Sequence, residues 1–81
     1  MNISKHERRV LHALSLGGHI ALVRDDNDRP VGIECYSREG WLLSDCTFDM
    51  FKRLRAKKVI ASQGGQSYRI TRTGLLLLRG P

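Results

Sequence analysis

Five cations fall within seven residues of this chain, Lys52, Arg53, Arg55, Lys57 and Lys58, with only Leu54 and Ala56 between them. Guanidinium and ammonium groups at that density can follow a phosphate backbone or line an acidic groove, releasing counterions as they engage. Arg69 and Arg72 follow closely and extend the same set of candidate contacts. The whole chain carries a formal net charge of +6 and a pI near 10.0, so its expected partner is a polyanion or an acidic protein surface.

Other chemistries find less support. His6, His12 and His19 do not stand at the i, i+4 spacing with which a helix holds zinc. Ten residues separate Cys35 from Cys46, so no C-x-x-C pair exists and two free, packed thiols are expected. A disulfide would need the fold to bring the two together. Asp25, Asp26 and Asp28 suggest calcium, yet an EF-hand loop opening at Asp25 would hold Pro30 and Tyr36 where glycine and glutamate are required. Cys35 with a histidine, or Glu34 with Glu39, could be imagined as catalytic groups. The chain has no phosphate loop and no nucleophile elbow, however, and 81 residues leave little volume for a deep pocket. We therefore expect no enzyme, no metal and no cofactor. Tyr36, Arg38 and Trp41 are the residue types that dominate protein interfaces and form a second candidate surface.

The elements that position these groups follow from spacing. Thr47 can cap a helix in which Phe48, Met50, Phe51 and Leu54 recur on one side, leaving Lys52, Arg53 and Lys57 on the other. Two short β-prone runs follow, 59–62 and 67–70, joined by Gln63-Gly64-Gly65-Gln66, whose glycines suit a tight hairpin. Upstream, Ser4-Lys5-His6-Glu7 reads as a capping box, Val10, Leu11 and Leu14 mark one helical face, and Gly17-Gly18 ends that helix. Residues 19–24 and 31–38 read as an antiparallel hairpin around a polar 25–30 loop, with the first strand covered on both faces. Trp41 is expected to be partly buried. A last short helix starts near Thr71 or Thr73, docks Leu75 to Leu78 on the core and stops at Gly80-Pro81. The order helix, hairpin, helix, hairpin, helix predicts one α+β domain over residues 1–81, a small winged-helix-like domain with an additional N-terminal β-hairpin.

A resemblance rests on motifs spread along the chain. Gly17-Gly18-His19-Ile20 with Arg24-Asp25, the block from Glu34 to Gly40, Asp45-Cys46-Thr47, Phe51-Lys52-Arg53-Leu54, and the run from Gly65 to Ile70 occur in order. Together they resemble the YjhX toxin family of small bacterial proteins, from about Ile3 to Leu75, and the Glu34–Gly40 heptad is the most specific piece. The resemblance implies a toxin of a toxin–antitoxin pair that inhibits DNA topoisomerase I by binding it, with an acetyltransferase-like antitoxin. A winged-helix DNA-binding transcriptional regulator is the alternative reading of the same residues. No apolar run approaches the ~18 residues of a membrane span, and 4–16 does not read as a secretory leader, so a cytoplasmic protein is expected.

Overall fold

Ser4 and Glu7 close the expected capping box. The Glu7 amide donates to Ser4 Oγ at 3.1 Å and the Ser4 amide donates to Glu7 Oε1 at 2.9 Å, which starts α1 (Lys5–Ser15). The computed structural model describes residues 3–62, 64 and 67–79. After α1 come β1 (His19–Arg24), β2 (Pro30–Tyr36), β3 (Leu42–Leu43), α2 (Phe48–Ala56), β4 (Ile60–Ser62), β5 (Tyr68–Ile70) and α3 (Arg72–Arg79). The fold is α+β: three helices and one antiparallel sheet of five strands in the order β3-β2-β1-β5-β4.

The β1–β2 hairpin turns where the sequence places it. Asp25 Oδ1 accepts from the amides of Asn27 and Arg29, both at 2.9 Å, and Asp28 takes the left-handed conformation. That carboxylate thus serves its own turn. The second hairpin does not stand alone, because β5 pairs with β1 through Ile20 and Tyr68 and joins both hairpins into one sheet. Most of the loop expected at 63–66 lies outside the described residues, as does the stop at Gly80-Pro81.

Register sorts the side chains onto two faces. Ile20 faces Cys35, Leu22 faces Ile33, Cys35 faces Leu43 and Ile60 faces Ile70, and all of these meet the helices. Val10, Leu11 and Leu14 of α1 and Met50, Phe51 and Leu54 of α2 complete the core on that side. Phe51 meets Tyr68 edge-on with ring centroids 4.8 Å apart, a geometry that adds about 1 kcal/mol beyond area burial. Thr71 caps α3 by accepting the Gly74 amide at 3.2 Å, and its hydroxyl donates to the Lys58 carbonyl at 2.8 Å.

Three expectations need correction. β1 is covered on one face only, because among the described residues no outward-facing side chain of the sheet belongs to the core. Trp41 is 73% exposed: the turn at Ser37–Gly40 ties its amide to Ser37 Oγ and turns the indole out beside the edge strand β3. In α3 only Leu77 and Leu78 pack on the core, while Leu75 and Leu76 stay exposed, as a helix must alternate its faces.

Candidate partner-binding surface

The geometry of α2 decides which of the clustered cations act together. Thr47 Oγ1 accepts the Met50 amide at 3.1 Å and fixes the helix start. With Met50, Phe51 and Leu54 buried, Lys52 and Arg55 emerge three residues apart on the flank that also carries Phe48. Lys52 Nζ sits 4.5 Å from the centroid of the Phe48 ring. Between this flank and the β1–β2 hairpin lies a cleft of about 330 Å³, lined by Leu22, Pro30, Phe48, Phe51, Lys52 and Arg55. It has an apolar floor and a cationic edge.

The remaining cations of the run separate from that edge. Arg53 is exposed about 100° around the helix from Lys52. Lys57 turns inward: its ammonium lies 2.8 Å from Glu7 Oε2, and the Glu7 side chain is only 5% exposed. Burial alone would push the Glu7 carboxyl up. The hydrogen bond from Lys57 and those with Ser4 outweigh burial and hold it below the usual glutamate range. Lys57 is therefore a structural group, correcting its expected place on an open contact face. Lys58 is exposed in the left-handed turn that ends α2. Arg72, exposed at the start of α3, lies next to Thr71 and so close to Lys58. Arg69 is exposed on the opposite face of the sheet from α2.

Tyr36, Arg38 and Trp41 do not form a single patch with α2. Tyr36 sits on the helix-free face of the sheet, where its ring stacks on His19 at 5.4 Å. A hydrogen bond to the Glu34 carboxylate keeps its hydroxyl protonated to higher pH than usual. Arg38 lies against Gly17 at the end of α1, and Trp41 projects from the turn before β3.

A second cationic surface went unread in the sequence. Lys5, Arg8, Arg9 and His12 line a groove of about 390 Å³ with Leu78. Arg8 Nη1 donates to the Leu78 carbonyl at 3.2 Å, and Arg9 pairs with Asp45 at 3.1 Å. The signal was present as a 5, 8, 9, 12 spacing opposite Val10, Leu11 and Leu14, but the denser run at 52–58 masked it.

The thiols of Cys35 and Cys46, both buried and free, meet in the core. A hydrogen bond from Cys46 lowers the Cys35 thiol from its ordinary range, and the same bond, followed by burial, pushes Cys46 far up. Among the described residues, no group of three or more His, Cys, Asp and Glu side chains gathers as a metal site. Among them, too, no helix is long and apolar enough to cross a membrane.

Comparison with known proteins adds what the geometry does not carry. Residues 1–81 match the family model YjhX_toxin, described as "Putative toxin of bacterial toxin-antitoxin pair". A UPF0386 protein of Caulobacter vibrioides is 56% identical over 79 residues, covering 98% of this chain and 87% of that protein. One from Rhodospirillum centenum is 52% identical over 79 residues, covering 98% and 92%. One from Parvibaculum lavamentivorans is 53% identical over 79 residues, covering 98% and 93%. No solved structure matches the chain.

Proposed function

The chain belongs to the YjhX toxin family, and from that premise we propose that it is the toxin of a toxin–antitoxin pair, acting by direct binding to DNA topoisomerase I and without catalysis of its own. Its antitoxin would be an acetyltransferase-like protein, and both would meet it in the cytoplasm. The observation that carries this reading is the cleft beside α2. A bare phosphate backbone needs cations alone, whereas Lys52 and Arg55 border an apolar floor of Leu22, Phe48 and Phe51. Cations around an apolar pocket suit an acidic protein surface that offers carboxylates together with an apolar anchor.

The test is plasmid relaxation by purified topoisomerase I with this protein added, repeated across a range of DNA concentrations. Inhibition that survives excess DNA supports a target on the enzyme. Inhibition abolished by excess DNA would mean that the protein only masks the substrate, and no inhibition would remove topoisomerase I from the proposal.

One observation favours a second reading, a winged-helix DNA-binding regulator. α2 runs through a three-residue turn into the β4–β5 hairpin, the order of a recognition helix and its wing. The exposed residues of α2 are Asp49, Lys52, Arg53, Arg55 and Ala56, however, with no Asn or Gln for base edges. Salt-sensitive, specific binding to duplex DNA in the absence of any enzyme would favour this reading over the first.

A further inference from the structure

All three helices pack on one side of the sheet, and the other side carries an ordered row of side chains. Tyr36 stands opposite both Leu42 and His19, and Arg69 stands opposite Ala61. The antiparallel register that sets Ile20 against Tyr68 places His19 beside Arg69. One row thus crosses all five strands, with two rings on the adjacent strands β1 and β2 and a guanidinium next to them. The rings are in offset contact, 5.4 Å between centroids and 30° between planes. Glu34 lies two residues before Tyr36 on the same face, close enough to raise the pKa of its hydroxyl. Beside the row, Ala21 and Gly32 leave a low floor.

We propose that this open sheet face is a separate binding surface for single-stranded DNA. Adjacent aromatic rings on the central strands of an open sheet are suited to stack unpaired bases, and they tolerate any sequence because every base has a π-face. Arg69, exposed and without an ion pair among the described residues, supplies the charge for the connecting phosphate. The net charge of +6 favours the approach of a polyanion. Among the described residues, Glu34 is the one carboxylate on the face, and it stands beside the Tyr36 hydroxyl. Duplex DNA is excluded by chemistry, since its bases are already stacked. The apolar Ala21, Gly32 and Ala61 around the rings offer no side chain to a ribose 2′-hydroxyl, so nothing on the face requires RNA, and stacking with a phosphate contact is all that single-stranded DNA needs. The surface is distinct from the α2 cleft, which lies on the helical side of the sheet, so it does not depend on the topoisomerase reading.

Fluorescence anisotropy with labelled (dT)15, (rU)15 and a 15-base-pair duplex tests this on the full chain. Binding to (dT)15 should be at least tenfold tighter than to the duplex and should weaken with salt. Tyr36→Ala and His19→Ala should each weaken it roughly five- to tenfold, and Arg69→Gln should flatten its salt dependence. Tyr36→Phe keeps the ring and should retain binding, which separates stacking from misfolding. Lys52→Glu with Arg55→Glu should leave most of it intact while reducing inhibition of topoisomerase I. Equal affinity for the duplex, tighter binding of (rU)15, insensitivity to both ring deletions, or loss on the α2 reversals alone would each overturn the proposal. No binding to (dT)15 would overturn it as well, and loss of topoisomerase inhibition in Tyr36→Ala beside that result would give the face to a protein.

Discussion

Lys57 Nζ lies 2.8 Å from Glu7 Oε2, and this contact ties the C-terminal end of α2 to the first turn of α1 across fifty residues of chain. Glu7 also accepts from the Ser4 amide, so one buried carboxylate serves both a helix cap and an interhelical ion pair. Truncating Lys57 would leave that carboxylate buried without its counter-charge. Lys57→Met is expected to cost about 3 kcal/mol, the low end for a buried pair because the ammonium keeps some solvent contact. Urea unfolding of wild type and variant measures it, and a loss under about 1 kcal/mol would mean that the pair is no more than a surface contact.

The same carboxylate sets an acid limb. Its folded-state pKa is depressed, so its contribution to stability is full above the ordinary glutamate value and fades as pH falls through the folded value. Melting temperatures should therefore decline below about pH 4. In Lys57→Met the hydrogen bond from Lys57 is gone while burial still raises the Glu7 pKa, so the acid decline should shrink or reverse, since protonation relieves a buried carboxylate that has lost its counter-charge. Parallel pH–stability curves for the two proteins would contradict this.

Lys52 and Arg55 should behave oppositely to Lys57. Their charges sit at the rim of the α2 cleft, so Lys52→Glu with Arg55→Glu should change stability by about 1 kcal/mol or less, mainly through the lost Lys52–Phe48 contact. On the proposed function, inhibition of topoisomerase I should fall roughly tenfold or more, with most of the change in association rate. Stopped-flow or surface-binding kinetics with the enzyme would show it.

Gly18 is a backbone contact in place of a side chain. A Cβ there would run into the Tyr36 carbonyl oxygen and stand 3.0 Å from the Ala13 carbonyl oxygen. Neither is a flexible side-chain tip, so Gly18→Ala should force α1 away from β2 and cost about 2–3 kcal/mol. Gly32, with nothing within 4 Å of a built Cβ, provides the matched control. Thermal unfolding of the two alanine variants should separate them clearly.

Trp41 is the chain's only tryptophan, and its exposure makes it a reporter. Its emission should resemble that of a solvated indole and be quenched readily by iodide in the native protein. The thiols should do the reverse: buried Cys35 and Cys46 should resist alkylation until denaturant is added, when both react. A shielded Trp41 or rapidly modified native thiols would contradict the packing described for the β2–β3 region.

Local chemistry alone determined much of this molecule. Ser4 and Glu7 announce a capping box, Thr47 a helix start, the 25–30 segment a turn, and the helical recurrence of apolar residues the two faces buried in the core. Those signals act over a few residues, so they are legible in order along the chain, and the α+β class follows from them. The density of cations at 52–58 was equally plain. Their division was not. Whether Lys57 is a contact or a counter-ion depends on Glu7, which only the docking of α1 against α2 brings within reach. The pairing of β1 with β5, which merges two hairpins and leaves one face bare for Tyr36, His19 and Arg69, likewise arises from a contact between distant segments. Trp41 was misread because its large apolar ring argues for burial, while the turn at Ser37–Gly40 points it outward at the sheet edge. Spacing encodes what neighbours along the chain do to each other, and packing decides which distant side chains share a surface.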